Sequence, residues 1–492
     1  MSNVVLEPRP LERVPSGIAG LDTILGGGFF RGGLYAVVGL PGTGKTILGN
    51  QICFHHVASG GRAVYITLLG EEHARMLAYL QSLAFFKPEV IANTLYYFSG
   101  YQALLQGRLS GLLEFLRRAI RDHKATMLVL DGLVTAKKFA ESELDFKNFM
   151  HDIQVYFAAA GCTTFLLSPP DNREPRPEDT VVDGLVILSH QTVGLRAMRE
   201  LELPKLRGSS YLEGRHVFEI TSAGIVIHPR TEALLAPSEI TTAPAQRRMH
   251  FGLPELDDML RGGLVSGSTT MLLGAAGSGK TLLGLHFLAA GAREEQNGLY
   301  FGFYEPPARL IAKADQIGLD LNGHVSRGLI EVVWQPILES HIDILAGRLL
   351  DVIRRKQIHR LFIDGQRGFQ EVAVYPERIG RFFTALTNEL RARGVTTIFA
   401  VQTHDLFGST SEMPITGVPA MTDNIIFLRY VELRSQFHRL ISLVKIGESD
   451  YDPTIHEFQI TRHGIDVAAT SESAEAILTG VGRPRLPDPP AP

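Results

Sequence analysis

The sequence predicts an α/β protein built from two tandem copies of one domain. Each copy has a mostly parallel sheet flanked by helices, followed by an antiparallel β extension. Three observations support this. A glycine-rich motif of eight residues occurs twice, its lysines Lys45 and Lys280 lie 235 residues apart, and in each half apolar strand-like runs alternate with helical patterns. Alternating strands and helices imply right-handed βαβ crossovers and therefore a mostly parallel sheet.

The repeated motif is the phosphate-binding loop pattern G-x-x-x-x-G-K-[ST], at residues 39–46 and 274–281. We expect Gly39, Gly42 and Gly44 to adopt positive φ, so that backbone N–H groups face a phosphate. The lysine brings a positive charge to the β- and γ-phosphates, and the hydroxyl group of the following threonine binds Mg²⁺. The predicted nucleotide contacts of the two loops are Gly39, Gly42, Thr43, Gly44, Lys45, Thr46, Ile47, Gly274, Gly277, Ser278, Gly279, Lys280, Thr281 and Leu282.

The duplication extends well beyond the loops. Asp22 and Asp257, in glycine-rich lead-in segments, keep the spacing of 235 residues, and Asp183 and Asp423, each before a late strand, are 240 residues apart. A period of this length indicates duplicated domains and not solenoid repeats. The predicted boundaries are residues 1–230 for the first domain, 231–248 for a linker rich in Ala, Thr and Pro, 249–479 for the second domain and 480–492 for a Pro-rich tail.

The elements of the first copy are predicted in chain order. Strands are expected near Tyr35 and at 64–67, 95–98, 127–130 and 164–167, with helices at 46–57, 102–123 and 144–159. Four strand-like runs joined by short turns then follow, at 185–188, 198–206, 217–220 and 225–228. They predict the antiparallel extension, and residues 425–467 repeat it in the second copy.

Composition excludes several functional classes. A net charge of −4 over 492 residues gives no electrostatic footprint for duplex nucleic acid. Two cysteines, Cys53 and Cys162, are too few for a disulfide framework. No apolar run reaches the roughly 18 residues of a membrane helix, and the N-terminus has no signal-peptide core. We therefore expect a cytoplasmic protein with no membrane partner, for which nucleic acid is disfavoured.

Hydrolysis of a bound nucleotide also needs a carboxylate on the Mg²⁺ side and a group that activates water. Asp131 and Asp364 each close an apolar strand, at the sheet edge where open α/β sheets bind ligands. With Thr46 and Thr281 they are the predicted metal ligands. The alternative is a turn-capping role, because a glycine follows each aspartate.

Three glutamates are candidates for water activation. Glu71, Glu72 and Glu305 each follow the next strand along the chain after a phosphate-loop helix. The alternative is an acidic residue favoured at a helix N-terminus by the macrodipole, which Glu72 fits well. The duplication favours Glu71, because it aligns with Glu305 whereas Glu72 aligns with Pro306.

Over residues 14–479 the chain resembles the KaiC family of circadian-clock ATPases, a RecA-like branch. Two phosphate-loop domains, each with a Gly-Leu-Asp…Gly-Gly type of lead-in and a β extension, carry the resemblance, and Lys205-Leu206-Arg207-Gly208-Ser209-Ser210 is its most specific match. It implies ATP and Mg²⁺ as cofactors and a homohexamer of two stacked rings. It also implies that Lys205, Leu206, Arg207 and Ser209 reach the nucleotide of a neighbouring subunit, where an arginine stabilises the transferring phosphoryl group. The alternative is a basic edge strand that prevents aggregation.

The second copy departs from the family pattern. Lys445 and Ser449 keep the equivalent candidate contacts, but Gly447 replaces the arginine between them. The family's paired glutamates are Gly70-Glu71 here, or Glu71-Glu72 after a shift of one residue, and in the second copy they are Tyr304-Glu305. Pro419-Ala420 replaces the adjacent Ser-Thr phosphorylation sites of the clock proteins. Neither residue has a hydroxyl group, so phosphorylation at these positions is impossible.

The leading hypothesis is a double-ring Mg-ATPase that acts as an ATP-dependent signalling or regulatory switch on an unknown protein partner. The first domain would hydrolyse ATP slowly, and the second would mainly bind it. A RecA/DnaB-type nucleic-acid motor is an alternative, with Lys137-Lys138 and residues 173–176 as candidate contacts, but no extended basic stretch supports it. Two further hypotheses are a Ser/Thr autokinase that uses different sites and a scaffold that ATP holds together without useful turnover.

Overall fold

The computed structural model describes residues 12–68, 73–170, 180–235, 247–337, 340–403, 422–433, 435–447, 449–472 and 474. Contacts within the chain divide it after Leu234 into two compact units. A short helix at Thr231–Leu234, where the linker was predicted to begin, belongs to the first unit. None of the helices in the described ranges combines the length and the apolar character needed to cross a bilayer.

In the described part of the first unit, a nine-stranded sheet has the order β11-β10-β9-β8-β3-β7-β6-β4-β5. In this spatial order, neighbouring strands from β8 through β3, β7, β6 and β4 to β5 are parallel. Neighbouring strands from β8 through β9 and β10 to β11 are antiparallel, as predicted. Two short strands, β1 and β2, pair separately. The bounds are β1 Arg13–Val14, β2 Phe29–Phe30, β3 Leu34–Gly39, β4 Ala63–Thr67, β5 Leu95–Ser99, β6 Met127–Asp131, β7 Thr163–Ser168, β8 Gly184–Val193, β9 Arg196–Leu206, β10 Arg215–Thr221 and β11 Gly224–His228.

The helices of the first unit include the three that the sequence predicted. One of them, at Tyr101–His123, is interrupted at Arg108, whose φ of 51° and ψ of −146° are not helical. The bounds are α1 Ala19–Leu25, α2 Lys45–Ala58, α3 His73–Leu80, α4 Tyr101–His123, α5 Leu133–Lys138, α6 Glu143–Ala159 and α7 Thr231–Leu234, with a 3₁₀ turn at Pro88–Val90.

The second unit repeats this architecture. Within its described residues the sheet order is β16-β15-β17-β18-β14-β19-β20-β21-β22, which is the first order read from the other end, and β12 pairs with β13. The strands are β12 Arg248–Met249, β13 Leu264–Val265, β14 Thr269–Gly274, β15 Gly298–Gly302, β16 Ile330–Trp334, β17 Arg360–Asp364, β18 Thr396–Gln402, β19 Asn424–Leu433, β20 Gln436–Ile446, β21 His456–Thr461 and β22 Gly464–Val467. The helices are α8 Pro254–Met259, α9 Lys280–Arg293, α10 Pro307–Gln316, α11 Leu321–Ser326, α12 Ile342–Lys356, α13 Arg367–Val372 and α14 Ile379–Ala392, with a 3₁₀ turn at Pro376–Arg378. The predicted fold class, two tandem RecA-like α/β domains, is confirmed.

The parallel strands are buried on both faces, which accounts for their nearly continuous apolar sequences. Successive residues of a strand face opposite sides of the sheet. In β3, Tyr35 and Val37 join the core beneath α2, whereas Leu34, Ala36 and Val38 join the core beneath α4 and α6. Two cores in each unit therefore fix the strand ends from which the phosphate loops emerge.

One side chain ties each phosphate-loop helix to the last hairpin of its sheet. In the first unit, the Gln51 side chain of α2 accepts a hydrogen bond from the N–H of Ile225 at 2.8 Å. It also donates one to the carbonyl oxygen of Ile225 at 3.2 Å. In the second unit, His286 occupies the equivalent position and its Nε2 accepts from the N–H of Ile465 at 3.2 Å. Burial, with the charge of Arg293 adding to it, lowers the pKa of His286 to about 4, so the ring is neutral and can accept.

We expect His286 to make the second unit less stable in acid. Its folded pKa of about 4 lies below the unfolded value. The unfolded value is about 6.5, so the stabilisation is complete above that pH and is lost as the pH falls towards 4. At pH 5 the loss is about 2 kcal/mol. Urea unfolding at pH 7 and pH 5, followed by the fluorescence of Trp334, the sole tryptophan, measures it in the second unit.

The matched variant is His286→Gln, which introduces the residue that the first unit uses at this position. Glutamine keeps an acceptor for the Ile465 N–H and does not titrate, so the acid-induced loss should be smaller by that amount. An equal loss of unfolding free energy in both proteins would contradict the assignment.

Candidate functional site

Each phosphate loop connects the carboxyl end of a central strand to a long helix. The first joins β3 to α2, and the second joins β14 to α9. Two glycines in each loop adopt the left-handed backbone, with φ of 82° at Gly42, 104° at Gly44, 75° at Gly277 and 105° at Gly279. The helix N-termini begin directly after these turns, so their unpaired N–H groups and positive dipole ends are placed for an anion.

The positive φ predicted for Gly39 is wrong, because its φ lies outside the left-handed region. The position needs glycine for space. A Cβ at Gly39 would lie 2.5 Å from Thr43 Oγ1 and 2.6 Å from the carbonyl oxygen of Leu188 on β8. Gly274 is confined in the same way by Ser278 and Leu428. The first glycine of each loop thus permits the loop to pass close to the neighbouring strand.

The two loop lysines make the same contacts. Lys45 Nζ donates to the carbonyl oxygens of the first two loop residues at 2.6 and 3.0 Å, and Lys280 Nζ does so at 2.7 Å to both. Burial lowers the pKa of Lys45 and lowers that of Lys280 to about 8, and the nearby charges of Asp131 and Asp364 partly offset the effect. Each ammonium group is therefore held at the mouth of its loop, where phosphate oxygens could replace the carbonyl acceptors.

A pocket of about 480 Å³ opens beside the first loop. Its lining includes Lys45, Thr46 and Ile47 from the start of α2, Asp131 from the end of β6 and Pro169 after β7. The volume lies within the range of small-molecule sites. The sequence-predicted residues Lys45, Thr46, Ile47 and Asp131 are therefore brought together around one cavity.

Three other predicted loop contacts are directed into the protein. Thr43 Oγ1 donates to the carbonyl of Leu40 at 2.9 Å and so closes the loop on itself. Its counterpart Ser278 has a buried Oγ without a hydrogen-bond partner among the described residues. Leu282, the counterpart of Ile47, is 9% exposed and packs in the core of the second unit.

Each metal-side pair consists of a threonine hydroxyl and an aspartate. Thr46 Oγ1 donates to Asp131 Oδ2 at 3.0 Å, and Thr281 Oγ1 donates to Asp364 Oδ2 at 2.8 Å. Mg²⁺ prefers such oxygen ligands and usually completes its octahedron with water and substrate phosphates. The two pairs lie beside the loop lysines, so their chemistry and their position both fit a Mg²⁺ ion bound with a nucleotide.

A tyrosine that the sequence interpretation missed holds each carboxylate. The hydroxyl groups of Tyr65 and Tyr300 donate to Oδ2 of Asp131 and Asp364, both at 2.8 Å. Burial, followed by the charge of the aspartate, raises the pKa of both tyrosines well above the ordinary value, so both remain donors. Burial also raises the pKa of Asp364, which the hydrogen bonds from Tyr300 and Thr281 oppose. A signal was present, since both tyrosines are the third residue of equivalent strands, 235 residues apart.

The candidate water-activating glutamates are only partly described. Glu71 and Glu72 lie outside the described residues. The carboxylate of Glu305, just beyond β15, is 17% exposed and lies 3.3 Å from Lys313 Nζ and 3.7 Å from Arg309 Nε. Its role in hydrolysis remains a prediction.

The phosphate loop of the first unit lies at the carboxyl end of the parallel strands. The Lys205–Ser209 segment lies at their amino end. Leu206 at the end of β9 pairs with Gly184, and Gly184 pairs with Tyr35 at the start of β3. The loop starts at Gly39, four residues further along β3, or about 13 Å at the usual rise per residue, and β3 is two strands from β9. Arg207 is therefore out of reach of the phosphate site in its own domain.

Backbone and side-chain contacts fix this segment. Arg207 Nη2 donates to the Thr180 carbonyl at 2.8 Å, its Nη1 lies 3.8 Å from Asp183, and its side chain is half exposed. Arg13 donates to Ser209 Oγ at 2.6 Å. The segment is thus presented at the surface in a defined conformation.

The other nucleotide contacts predicted for this segment and for its counterpart in the second unit are all held by hydrogen bonds within their own unit. Lys205 Nζ donates to a carbonyl at 3.4 Å, Lys445 Nζ donates to one at 2.6 Å, and Ser449 Oγ accepts from Arg248 at 3.1 Å. The Leu206 side chain is buried in its own core, which leaves only its backbone for a ligand.

Of the alternative nucleic-acid contacts, Lys137 lies over the Phe146 ring at 5.7 Å. Residues 173–176, Pro419 and Ala420 lie outside the described ranges.

The second site differs from the first near the aspartate. Arg367 stands where the first unit has Val134, three residues after the aspartate in each case, and Val134 lines the first pocket. Arg367 Nε lies 2.8 Å from Glu371 Oε1. Tyr304 lies over Gly365, where a Cβ would come within 2.5 Å of its ring. The glycine that follows the second aspartate is thus covered by an aromatic ring, and an ion-paired arginine follows it two residues later.

In comparisons with known proteins, both halves of the chain match the same protein family. The family model described as "ATPase: KaiC" matches residues 14–232 and again residues 249–472. A protein of Thermostichus vulcanus named "Circadian clock oscillator protein KaiC" is 26% identical, with 96% of this chain and 92% of that protein covered. Proteins of the same name from Synechococcus elongatus and Parasynechococcus marenigrum are each 25% identical, with 96% of this chain covered and 92% and 93% of those proteins.

Gly39→Ala should weaken nucleotide binding at the first site. The added Cβ would collide with Thr43 and with the β8 backbone, and so displace the carbonyl group that holds Lys45. Overpacking of this kind costs roughly 1–3 kcal/mol, or a roughly 5- to 150-fold weaker affinity if it is expressed in binding. Titration with a fluorescent ATP analogue measures it in a chain whose second site is silenced by Lys280→Ala.

Gly107→Ala is the matched control, because a Cβ there meets nothing within 4 Å. It should leave the affinity unchanged. Equal affinities for the Gly39 and Gly107 variants would show that the close approach at Gly39 has no effect on the site.

Proposed function

Because the chain belongs to the KaiC family of ATPases, we propose that it is a Mg²⁺-dependent ATPase with one nucleotide site in each domain. The observation that carries the proposal is the convergence of a loop lysine, a threonine hydroxyl and a strand-end aspartate in both units. This set supplies a phosphate cradle, a positive charge and a metal-side carboxylate, which are shared parts of phosphoryl-transfer sites.

In the first domain each residue has a distinct task. The loop N–H groups and Lys45 bind the β- and γ-phosphates. Thr46 and Asp131 would hold Mg²⁺, which neutralises charge on the phosphate oxygens when it is bound. Glu71, the preferred candidate over Glu72, would orient and deprotonate the attacking water.

The domains divide the work in this proposal. The second domain keeps Lys280, Thr281 and Asp364 in the same contacts, so it binds Mg-ATP. It has Gly447 in place of Arg207 and Tyr304 beside Glu305, and it therefore hydrolyses ATP poorly or not at all. The first domain is the main site of turnover, which is slow as expected of a regulatory switch.

Assembly would complete the first site. Arg207 cannot reach the phosphate loop of its own domain and is half exposed, which supports the proposal that it serves the loop of a neighbouring copy. A ring satisfies this head-to-tail arrangement for every subunit, and a homohexamer of two stacked layers is the proposed form. Such a protein couples nucleotide state to assembly and to a signalling partner in the cytoplasm. With Pro419-Ala420 in place of adjacent hydroxyl residues, it would not time itself by phosphorylation there.

ATP turnover should depend on Lys45 far more than on Lys280. Lys45→Ala removes the phosphate-binding charge of the active domain and should abolish most phosphate release, whereas Lys280→Ala should retain turnover and weaken ATP-dependent assembly. Phosphate release and oligomeric mass, each with and without ATP, measure both effects. Lys147→Ala, at an exposed lysine of α6, is the control. Turnover lost with Lys280→Ala but retained with Lys45→Ala would reverse the assigned roles.

Mixed assemblies test whether Arg207 acts between subunits. Arg207→Ala alone should lower the turnover rate on the order of 10³-fold, as removal of an arginine finger does. In randomly mixed assemblies of Arg207→Ala and Lys45→Ala chains, about a quarter of the first-domain sites combine an intact lysine with an intact neighbouring arginine. We therefore expect partial recovery of phosphate release. Activity no higher than the mean of the two parents would contradict action in trans.

A further inference from the structure

The hydroxyl groups of Tyr65 and Tyr300 have no task in the proposed reaction, yet each is committed to a metal-side carboxylate. Tyr65 is fully buried in β4 and reaches Asp131 at the end of the adjacent strand β6 at 2.8 Å. Tyr300 makes the same contact with Asp364 at the same distance. Phenylalanine would fill the same apolar space, so packing alone does not account for a hydroxyl group at both positions.

The two donors in each site converge on one carboxylate oxygen. Asp131 Oδ2 accepts from the Tyr65 hydroxyl at 2.8 Å and from Thr46 Oγ1 at 3.0 Å. A threonine hydroxyl has one proton and two acceptor lone pairs. While its proton is given to Asp131, the lone pairs of Thr46 are directed elsewhere and remain for a cation. The tyrosine limits rotation of the carboxylate and so fixes the direction of that threonine hydrogen bond.

We propose that Tyr65 and Tyr300 are positioning residues of the two Mg²⁺ sites, each holding a Thr–Asp pair in the arrangement that receives the ion. Each tyrosine acts on the ion only through its carboxylate. The inference rests on the proposed Mg-nucleotide function and deepens it. Partners that orient metal ligands in this way typically contribute roughly 10- to 100-fold to metal affinity or activity.

The test uses the full chain with a single working site. Tyr65→Phe is combined with Lys280→Ala, and binding of a fluorescent ADP analogue is measured over a series of Mg²⁺ concentrations. Electron paramagnetic resonance measures the binding of Mn²⁺ in the presence of ADP. We expect the Mg²⁺ concentration for half-maximal ADP binding to rise about tenfold, and the Mn²⁺ affinity to fall by a similar factor. ADP binding in EDTA should stay unchanged.

Tyr97→Phe in the same background is the matched control. Its hydroxyl donates to Asn50 Oδ1 at 2.7 Å, and its ring lies 5.5 Å from the Tyr65 ring. The control thus removes a neighbouring tyrosine hydroxyl whose acceptor is not the metal-side carboxylate. Its Mg²⁺ dependence should equal that of the parent. If Tyr65→Phe does not fold, Tyr300→Phe in a Lys45→Ala chain gives the same test in the other domain.

Two results would overturn the positioning role. One is an unchanged Mg²⁺ dependence in the tyrosine variant, and the other is an equal loss of ADP binding in EDTA, which would indicate general damage to the loop. If the parent chain itself showed no Mg²⁺-dependent ADP binding, the proposed function would fail instead.

Discussion

In each domain two hydroxyl groups donate hydrogen bonds to the strand-end aspartate beside the phosphate loop. Asp131 stands at the end of β6 next to the phosphate-loop helix, and its burial is tolerable because Tyr65 and Thr46 donate to it. Burying a carboxylate without such donors is costly. The same hydrogen bonds connect three elements, β4, β6 and α2, at the point where the loop must hold a nucleotide. The interaction that satisfies the buried charge therefore also shapes the site.

Much of this arrangement could be predicted from sequence because it follows from short-range rules. The loop glycines, the strand-end aspartates and the alternation of strands and helices are each recognisable from local sequence, and each occurs in both copies. The repetition of Tyr65 as Tyr300 marks the position, but it does not identify the partner, which lies on another strand and is adjacent only after the sheet has formed. The same reason explains the error at Gly39, where the constraint is the backbone of β8 and not the local φ. The edge position of Arg207 likewise needed the strand register.

Duplication left the framework unchanged and varied the contacts around it. The strand order is the same in both sheets, and the lysine, threonine and aspartate contacts agree within a few tenths of an ångström. The two units differ in side chains that surround this common framework. Gln51 corresponds to the titratable His286 at the hairpin contact, and Val134 corresponds to Arg367, three residues after the second aspartate. This pattern accords with the proposed division of roles between the two domains.

Counting the nucleotides bound by each chain shows most directly whether one chain carries two Mg-nucleotide sites. Equilibrium dialysis of the full chain with Mg²⁺ and a non-hydrolysable ATP analogue gives the number of nucleotides bound per chain at saturation. We expect two for the wild-type chain, one each for Lys45→Ala and Lys280→Ala, and none for the double variant. A value of one in the wild type, or no change on loss of either lysine, would contradict it.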